Sequence, residues 1–172
     1  MDLINRLNRL GKRVHTQHHT INWGGCCVYA ARVAEQLSKY VPTRVRVGQG
    51  WEGPDSLVID EVRPQVQSNL PKEWNKQGLY FAHVVVEFEF NGKVYHYDAL
   101  GVKRARPRTN MGDYPIVKGH LTIKEARELA AAKKGWNSAF DRDEIPAVHR
   151  LIDDAFDRMA KAHGVAKKTK KK

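Results

Sequence analysis

The segment Asn22–Ala31, with the sequence NWGGCCVYAA, decides how this chain is expected to fold. It places two thiols, Cys26 and Cys27, directly after two glycines and at the start of a long segment with apolar residues at helical spacing. Unsatisfied N–H groups and the macrodipole at a helix N-terminus favour negative charge, and they lower the pKa of a thiol located there. The segment therefore predicts a cysteine nucleophile at the start of a helix.

The predicted helix continues from Cys26 to Tyr40, and it is apolar around so much of its circumference that it should lie centrally in the core. Pro42 ends it, and the sequence TRVRV at residues 43–47 alternates like a half-buried strand. The glycine-rich loop that follows carries Trp51. This tryptophan is either a core residue or a wall of a substrate cleft, and the sequence favours neither.

A β-hairpin is the second feature that the sequence predicts. Two β-rich runs, residues 79–90 and 93–100, flank the dipeptide Asn91-Gly92, which is typical of a two-residue hairpin turn. Such a turn fixes the register, so that the numbers of opposed residues sum to 183 and residue 88 faces residue 95. One face of this hairpin is apolar and aromatic, and we expect it to face the core.

The other face of the hairpin brings His83 close to Asp98, on the diagonal across the two strands. A carboxylate that binds one imidazole nitrogen orients the ring and leaves the other nitrogen free to take a proton from a thiol. With Cys26 at the helix start, the pattern predicts a Cys-His-Asp constellation. The alternative is an ordinary surface pair. We favour the constellation because the pair lies at the end of the hairpin where the helix should pack.

Four short segments resemble the transglutaminase-like superfamily, within the wider papain-like fold. Gly24–Ala30 resembles its Gly-x-Cys-Trp-x-aromatic-Ala segment, and Val41–Val45 resembles its Ile-Pro-Ala-Arg-Val segment. His83–Glu87 resembles its His-x-x-x-Glu strand, and Tyr97-Asp98 resembles its closing aspartate. The resemblance covers roughly residues 22–100. Cys27 and Val85 stand where the family usually has Trp.

The resemblance implies an α+β fold in which the nucleophile helix packs on an antiparallel sheet. It also implies roles for three residues, with Cys26 as the nucleophile, His83 as the base and Asp98 as the carboxylate that orients it; Cys27 is interpreted as a packing residue. Papain-like enzymes usually take an oxyanion donor from a side chain just upstream of the nucleophile. The oxyanion candidates are therefore Gln17, Asn22 and Trp23, and of these we favour Gln17.

Further helices are expected outside this core. The apolar spacing predicts them at residues 2–10 and 144–163, and a helix-forming composition predicts one at residues 121–134. Gly11 should end the first, while Thr122 and Glu125 form a capping box at the start of the second. We accordingly divide the chain into an N-terminal helix and linker (1–21), a catalytic core (22–118), a C-terminal helical extension (119–164) and a basic disordered tail (165–172).

The formal net charge is +11, and six of the positive charges are lysines between residues 161 and 172, where no acid occurs. The lysine-rich end predicts a solvated tail with weak attraction to nucleic acid or another polyanion. A second basic cluster, residues 103–108, contains Arg104 and Arg106. It is interpreted as a solvated loop, with docking of an acidic substrate at the cleft as the alternative. Three histidines, His15, His18 and His19, are interpreted as part of a polar linker rather than as a zinc site.

Together these patterns favour a thiol-dependent acyl hydrolase, a cysteine protease or amidase that acts on a protein or peptide through a thioester. Two alternatives remain open: an acyl transferase of transglutaminase type, and a noncatalytic basic module of the same fold that binds nucleic acid, for example in a virion. No cofactor or metal is expected. The sequence shows no secretory signal and no apolar run of membrane-spanning length, so we expect a cytoplasmic protein, or a virion-packaged one if the chain is viral.

Overall fold

The computed structural model of the protein describes residues 3–22, 24–49, 57–58, 80–104, 110–111, 114–115, 120–131 and 140–162. Within these residues the fold is α+β. The α-helices are α1 (Leu3–Gln17), α2 (Cys26–Leu37), α3 (Ile123–Ala131) and α4 (Ile145–Ala162), and a short 3-10 helix, Arg142–Glu144, precedes α4. The strands are β1 (Thr43–Gln49), β2 (Leu57–Val58), β3 (Tyr80–Phe90), β4 (Lys93–Asp98), β5 (Gly101–Arg104), β6 (Asn110–Met111) and β7 (Tyr114–Pro115). None of the helices in these residues is long and apolar enough to cross a bilayer.

The main sheet is antiparallel, with the strand order β1-β3-β4-β5, and the short β2 also pairs with β3. The predicted register of the β3–β4 hairpin is confirmed, since Phe88 pairs with Tyr95 and Phe90 with Lys93. Both residues of its turn have positive φ, 51° for Asn91 and 67° for Gly92, which is the conformation that this dipeptide adopts most easily.

The apolar face of the hairpin is buried, as predicted. Val84, Val86, Phe88 and Tyr97 lie in the same hydrophobic core as α2. The opposite face is also covered in the middle of β3, because Val85 is only 2% exposed. The sheet is thus buried on both faces there, and the alternation of the sequence did not predict this.

The helix α2 lies at the centre of the core, with nine of its twelve residues buried. It begins at Cys26 as predicted, but it ends at Leu37 and not at Tyr40. The chain leaves the helix through a turn in which the N–H of Tyr40 donates to the Leu37 carbonyl. Pro42 prevents the helix from resuming after this turn, because a proline disfavours helical backbone in the residue before it.

Hydrogen bonds of two buried tyrosine hydroxyls join α2, β4 and α1. The hydroxyls of Tyr29 and Tyr97 lie 2.5 Å apart, and the Tyr97 hydroxyl donates to the Leu7 carbonyl at 2.6 Å. The Tyr29 hydroxyl is therefore the donor of the first bond. Because Tyr97 immediately precedes Asp98, these hydrogen bonds fix the position of α2, which carries the thiols, relative to β4, which carries the carboxylate.

The prediction that Gly11 ends the first helix is wrong, since α1 continues to Gln17. Gly11 is buried where α1 crosses the end of β4, and a Cβ on it would lie 3.0 Å from the carbonyl oxygen of Ala99. The glycine thus serves close packing of the helix on the backbone. That tertiary packing outweighs the helix-propensity penalty of glycine, about 1 kcal/mol. His15, interpreted as linker, consequently lies inside α1.

The C-terminal helices follow their predicted signals. The N–H of Thr122 donates to the Glu125 carboxylate at 2.7 Å, and the N–H of Glu125 donates to the Thr122 hydroxyl at 3.1 Å, which confirms the capping box. Val148, Ile152 and Phe156 of α4 are buried in the common core. The predicted helix end at residue 134 and the tail at 165–172 lie outside the described residues.

Candidate active site

Two glycines determine how Cys26 is presented at the first residue of α2. Gly24 has a φ of 115°, a conformation that side chains rarely allow. Gly25 is the N-cap residue, and a Cβ on it would lie 2.8 Å from side-chain atoms of both Ile21 and Phe140. The glycine pair therefore permits a sharp approach to the helix within a tightly packed site, and no side chain caps the helix N-terminus.

The structure brings His83 of β3 and Asp98 of β4 together. The Nε2 atom of His83 lies 3.0 Å from Oδ2 of Asp98, and the other carboxylate oxygen accepts the N–H of Leu100 at 2.8 Å. The side chains are only 12% and 15% exposed. The carboxylate is thus fixed from both sides, and Nδ1 is the imidazole nitrogen that remains for a thiol.

The pKa of the Cys26 thiol is lowered well below its ordinary value. The largest cause is a hydrogen bond from Cys27; burial acts in the opposite direction, and a hydrogen bond and charge from His83 and the N–H of Val84 lower the pKa further. The pKa of Cys27 is raised, by its bond to Cys26 and by burial. These directions favour Cys26 over Cys27 as the thiol that loses its proton.

The His83 imidazole has a raised pKa. Burial lowers this pKa, but hydrogen bonds to Asp98 and Cys26, with their charges, outweigh burial and raise it to about 10. The pKa of Asp98 is lowered in spite of burial, chiefly by its hydrogen bond to His83. These directions favour transfer of the Cys26 proton to His83, beside a carboxylate.

A second histidine–carboxylate pair lies on the same face of the hairpin. Glu87, 7% exposed, contacts Nε2 of His96 at 2.8 Å and Nε of Arg44 at 2.5 Å, and Arg46 is 3.9 Å away. Burial raises the pKa of Glu87, but its hydrogen bonds from His96 and Arg44 prevail and lower it to about 2. This pair was not predicted from the sequence, although the predicted register places Glu87 directly opposite His96.

The three oxyanion candidates differ in their placement. Gln17 is exposed at the last residue of α1, and Trp23 lies outside the described residues. Asn22 is partly buried four residues before Cys26, and neither polar atom of its amide has a hydrogen-bond partner among the described residues. A buried amide without partners costs about 1–3 kcal/mol, so this one is unusual.

The predicted substrate cleft is described only in part. Trp51 and Arg106 lie outside the described residues. Arg104 is exposed at the end of β5, where it pairs with Tyr95. Lys103, beside it, contributes to the lowered pKa of Asp98 through its charge. The cluster interpreted as a solvated loop thus begins within a strand next to the site.

In the described part of the chain, no three His, Cys, Asp or Glu side chains are grouped so that they could hold a metal ion. His18, one of the three upstream histidines, instead hydrogen-bonds Glu144 through its Nδ1 atom. Comparison of the chain with protein-family models, with curated proteins and with solved structures found no match. The α+β fold and the grouping of Cys26, His83 and Asp98 are therefore the basis for assigning a function.

Proposed function

We propose that this protein is a thiol-dependent acyl hydrolase, a cysteine protease or amidase of transglutaminase-like, papain-like architecture. The observation that carries the proposal is the hydrogen-bonded pair of His83 and Asp98, 3.0 Å apart, next to a thiol at the N-terminus of a buried helix. Surface pairs of histidine and aspartate are common, but such a pair seldom adjoins a buried thiol whose pKa is lowered. Perturbed groups of complementary charge are typical of catalytic sites.

In this mechanism the Cys26 thiolate attacks the carbonyl carbon of an amide, and the carbonyl electron pair moves onto the oxygen. His83, already protonated, donates its proton to the leaving amine as the C–N bond breaks, and a thioester remains on Cys26. The imidazole then removes a proton from water, and the hydroxide attacks the thioester. The carboxylic acid leaves, and the Cys26 thiolate and the His83 imidazolium are restored.

Asp98 has an orienting role in this mechanism. Its carboxylate binds Nε2 of His83 and so directs Nδ1 toward the thiol, and it stabilises the imidazolium. The N–H of Cys26 and the amide of Asn22 are the proposed donors to the oxyanion. The unpaired amide of Asn22 supports its role, because a donor kept for a transient oxyanion has no partner in the resting protein.

Alkylation of the thiol tests this proposal without knowledge of the substrate. Iodoacetamide at about pH 6 should modify Cys26 rapidly, because an ordinary thiol with a pKa of about 8.5 is almost entirely protonated there. Peptide mapping by mass spectrometry identifies the modified residue. The matched variants are Cys26→Ala, which should abolish the rapid phase, and Cys27→Ala, which should slow modification of Cys26 without moving it to another residue, because the hydrogen bond from Cys27 is lost while His83 remains. Rapid modification that survives Cys26→Ala would exclude Cys26 as the nucleophile.

An active ester distinguishes hydrolysis from acyl transfer. With p-nitrophenyl acetate, we expect a burst of about one equivalent of p-nitrophenol, followed by slower turnover as water resolves the acetyl thioester. If an added primary amine increases the turnover and is recovered as its acetamide, the protein is an acyl transferase. If the wild type and Cys26→Ala release p-nitrophenol at the same rate, the protein is a noncatalytic module.

A further inference from the structure

A groove between α1 and α4 is rimmed by arginines. Arg6, Arg9 and Arg13 of α1 and Arg158 of α4 line a cavity of about 300 Å³. The floor is apolar and includes Leu10, which is buried, and Met159. Long arginine stems can cover such a floor while their guanidinium groups remain in water, so the rim carries a concentrated positive charge.

The positive charge on the α1 side is carried by a helix that contains no acidic residue. Its three groove arginines stand at i, i+3 and i+7, on one stripe that is about 10 Å long at 1.5 Å per residue. On α4, Asp154 and Asp157 are not among the residues that line the groove.

Three of the groove arginines differ in their pairing from Arg32 and Arg44. Arg32 binds Asp153 and Glu35, and Arg44 binds Glu87, so those charges are neutralised within the protein. Arg9, Arg13 and Arg158 are exposed and make no ion pair with another residue of the described ranges. Their guanidinium groups are available to an anion from outside.

The sequence that follows α4 extends this charge. The helix ends four residues after Arg158, and the chain from Lys161 to the C-terminus contains six lysines and no acid. Chain connectivity therefore places the start of the lysine-rich segment about one turn from the groove. A sequence pI of about 9.8 and a row of arginines along one helix are together the electrostatic signature of nucleic-acid binding.

We propose that the groove between α1 and α4 binds nucleic acid through its phosphates. Guanidinium groups bind phosphate oxygens in a bidentate manner, and a row of them suits a regularly charged backbone better than it suits single carboxylates. Phosphate contacts carry little sequence information, so binding should be largely independent of sequence. The site is separate from the thiol and does not depend on acyl chemistry there.

The test measures binding of the full chain to fluorescently labelled DNA and RNA of mixed sequence, about 20 nucleotides long, by anisotropy between about 50 and 200 mM NaCl. The groove variant combines Arg9→Gln, Arg13→Gln and Arg158→Gln. The matched control loses the same charge at exposed positions outside the groove through Lys39→Gln, Lys93→Gln and Arg150→Gln. Thermal unfolding of each variant monitors the fold.

The groove variant should bind about tenfold or more weakly at intermediate salt, and its slope of log K against log salt should be shallower by about three. A variant with lysine at the same three positions should retain most of the affinity, which excludes a loss of fold as the cause. Cys26→Ala should bind like the wild type, so that failure of the acyl chemistry and failure of this inference remain distinguishable.

Three results would overturn the inference. Equal losses in the groove variant and the control would assign binding to diffuse charge. Absence of nucleic-acid binding by the wild type at about 50 mM salt would remove the ligand class. Binding of poly-glutamate that depends on the groove arginines, together with nucleic-acid binding that does not, would identify an acidic protein as the occupant.

Discussion

The sheet carries two histidine–carboxylate pairs that are similar in geometry and different in surroundings. His83 lies 3.0 Å from Asp98, and His96 lies 2.8 Å from Glu87; each pair joins β3 to β4. The two histidine side chains are almost equally exposed, at 12% and 11%. The third partner differs, because the first pair adjoins the Cys26 thiol and the second is held by a guanidinium.

The two pairs differ in the third group that contacts them, and this group determines whether the pair can activate a nucleophile. A thiol can give its proton to an imidazole, and so the pKa of Cys26 falls while that of His83 rises. The guanidinium of Arg44 does not give up its proton at any ordinary pH. Glu87 is therefore the centre of a fixed ion cluster, and nothing in the cluster supplies a nucleophile. A substitution in one pair can therefore serve as the control for the same substitution in the other pair.

Exchange of one histidine for glutamine should separate the pairs most strongly. In His83→Gln the thiolate loses its cationic partner while burial continues to raise the pKa of Cys26. The rate constant for alkylation of Cys26 at about pH 6 should fall by about 10²–10³-fold. His96→Gln, the matched variant, should leave this rate nearly unchanged. Equal rates in both variants would show that His83 does not activate the thiol.

Neutralisation of the carboxylates should have a smaller effect on the thiol. Asp98→Asn retains the shape of the side chain but removes the charge that stabilises the His83 imidazolium, and we expect alkylation at about pH 6 to slow by about 10–100-fold. The pH dependence of the rate should shift to higher pH, because the pKa of Cys26 rises. Glu87→Gln should produce neither change. A slow rate in Glu87→Gln would instead indicate that the two pairs are coupled through the sheet.

The first pair could be predicted from the sequence, and local signals explain why. Asn91-Gly92 fixes a two-residue turn, the turn fixes the register, and the register brings His83 to the diagonal of Asp98. The helix start at Cys26 was equally local, because a glycine pair precedes a long apolar segment. These steps required only residues that are close in sequence.

Contacts between distant parts of the chain could not be predicted in the same way. Arg44 meets Glu87 because β1 pairs with β3, and the two strands are separated by some thirty residues with no turn signal to fix a register. The extension of α1 through Gly11 depends on the Ala99 carbonyl, 88 positions further along the chain. The charge stripe of α1 was visible in the sequence, but its relation to Arg158 required the packing of α1 on α4.

The smallest expected effect is on the pH dependence of the free energy of unfolding, and it arises from the pair of Glu87 and His96. The pKa of Glu87 is about 2 in the folded protein, below its ordinary value of 4.5. The cluster therefore stabilises the fold fully above pH 4.5, and this contribution is lost as the pH falls toward 2. Because Arg44 is half exposed and its ion pair is screened by solvent, we expect a contribution of about 1–2 kcal/mol.

The free energy of unfolding should consequently fall less on acidification in Glu87→Gln than in the wild type. Glu89→Gln, which changes an exposed carboxylate on the same strand, leaves the cluster around Glu87 intact and is the matched control. If both variants lose the same stability between these pH values, the cluster around Glu87 does not stabilise the fold, and the contrast between the two pairs must rest on the thiol alone.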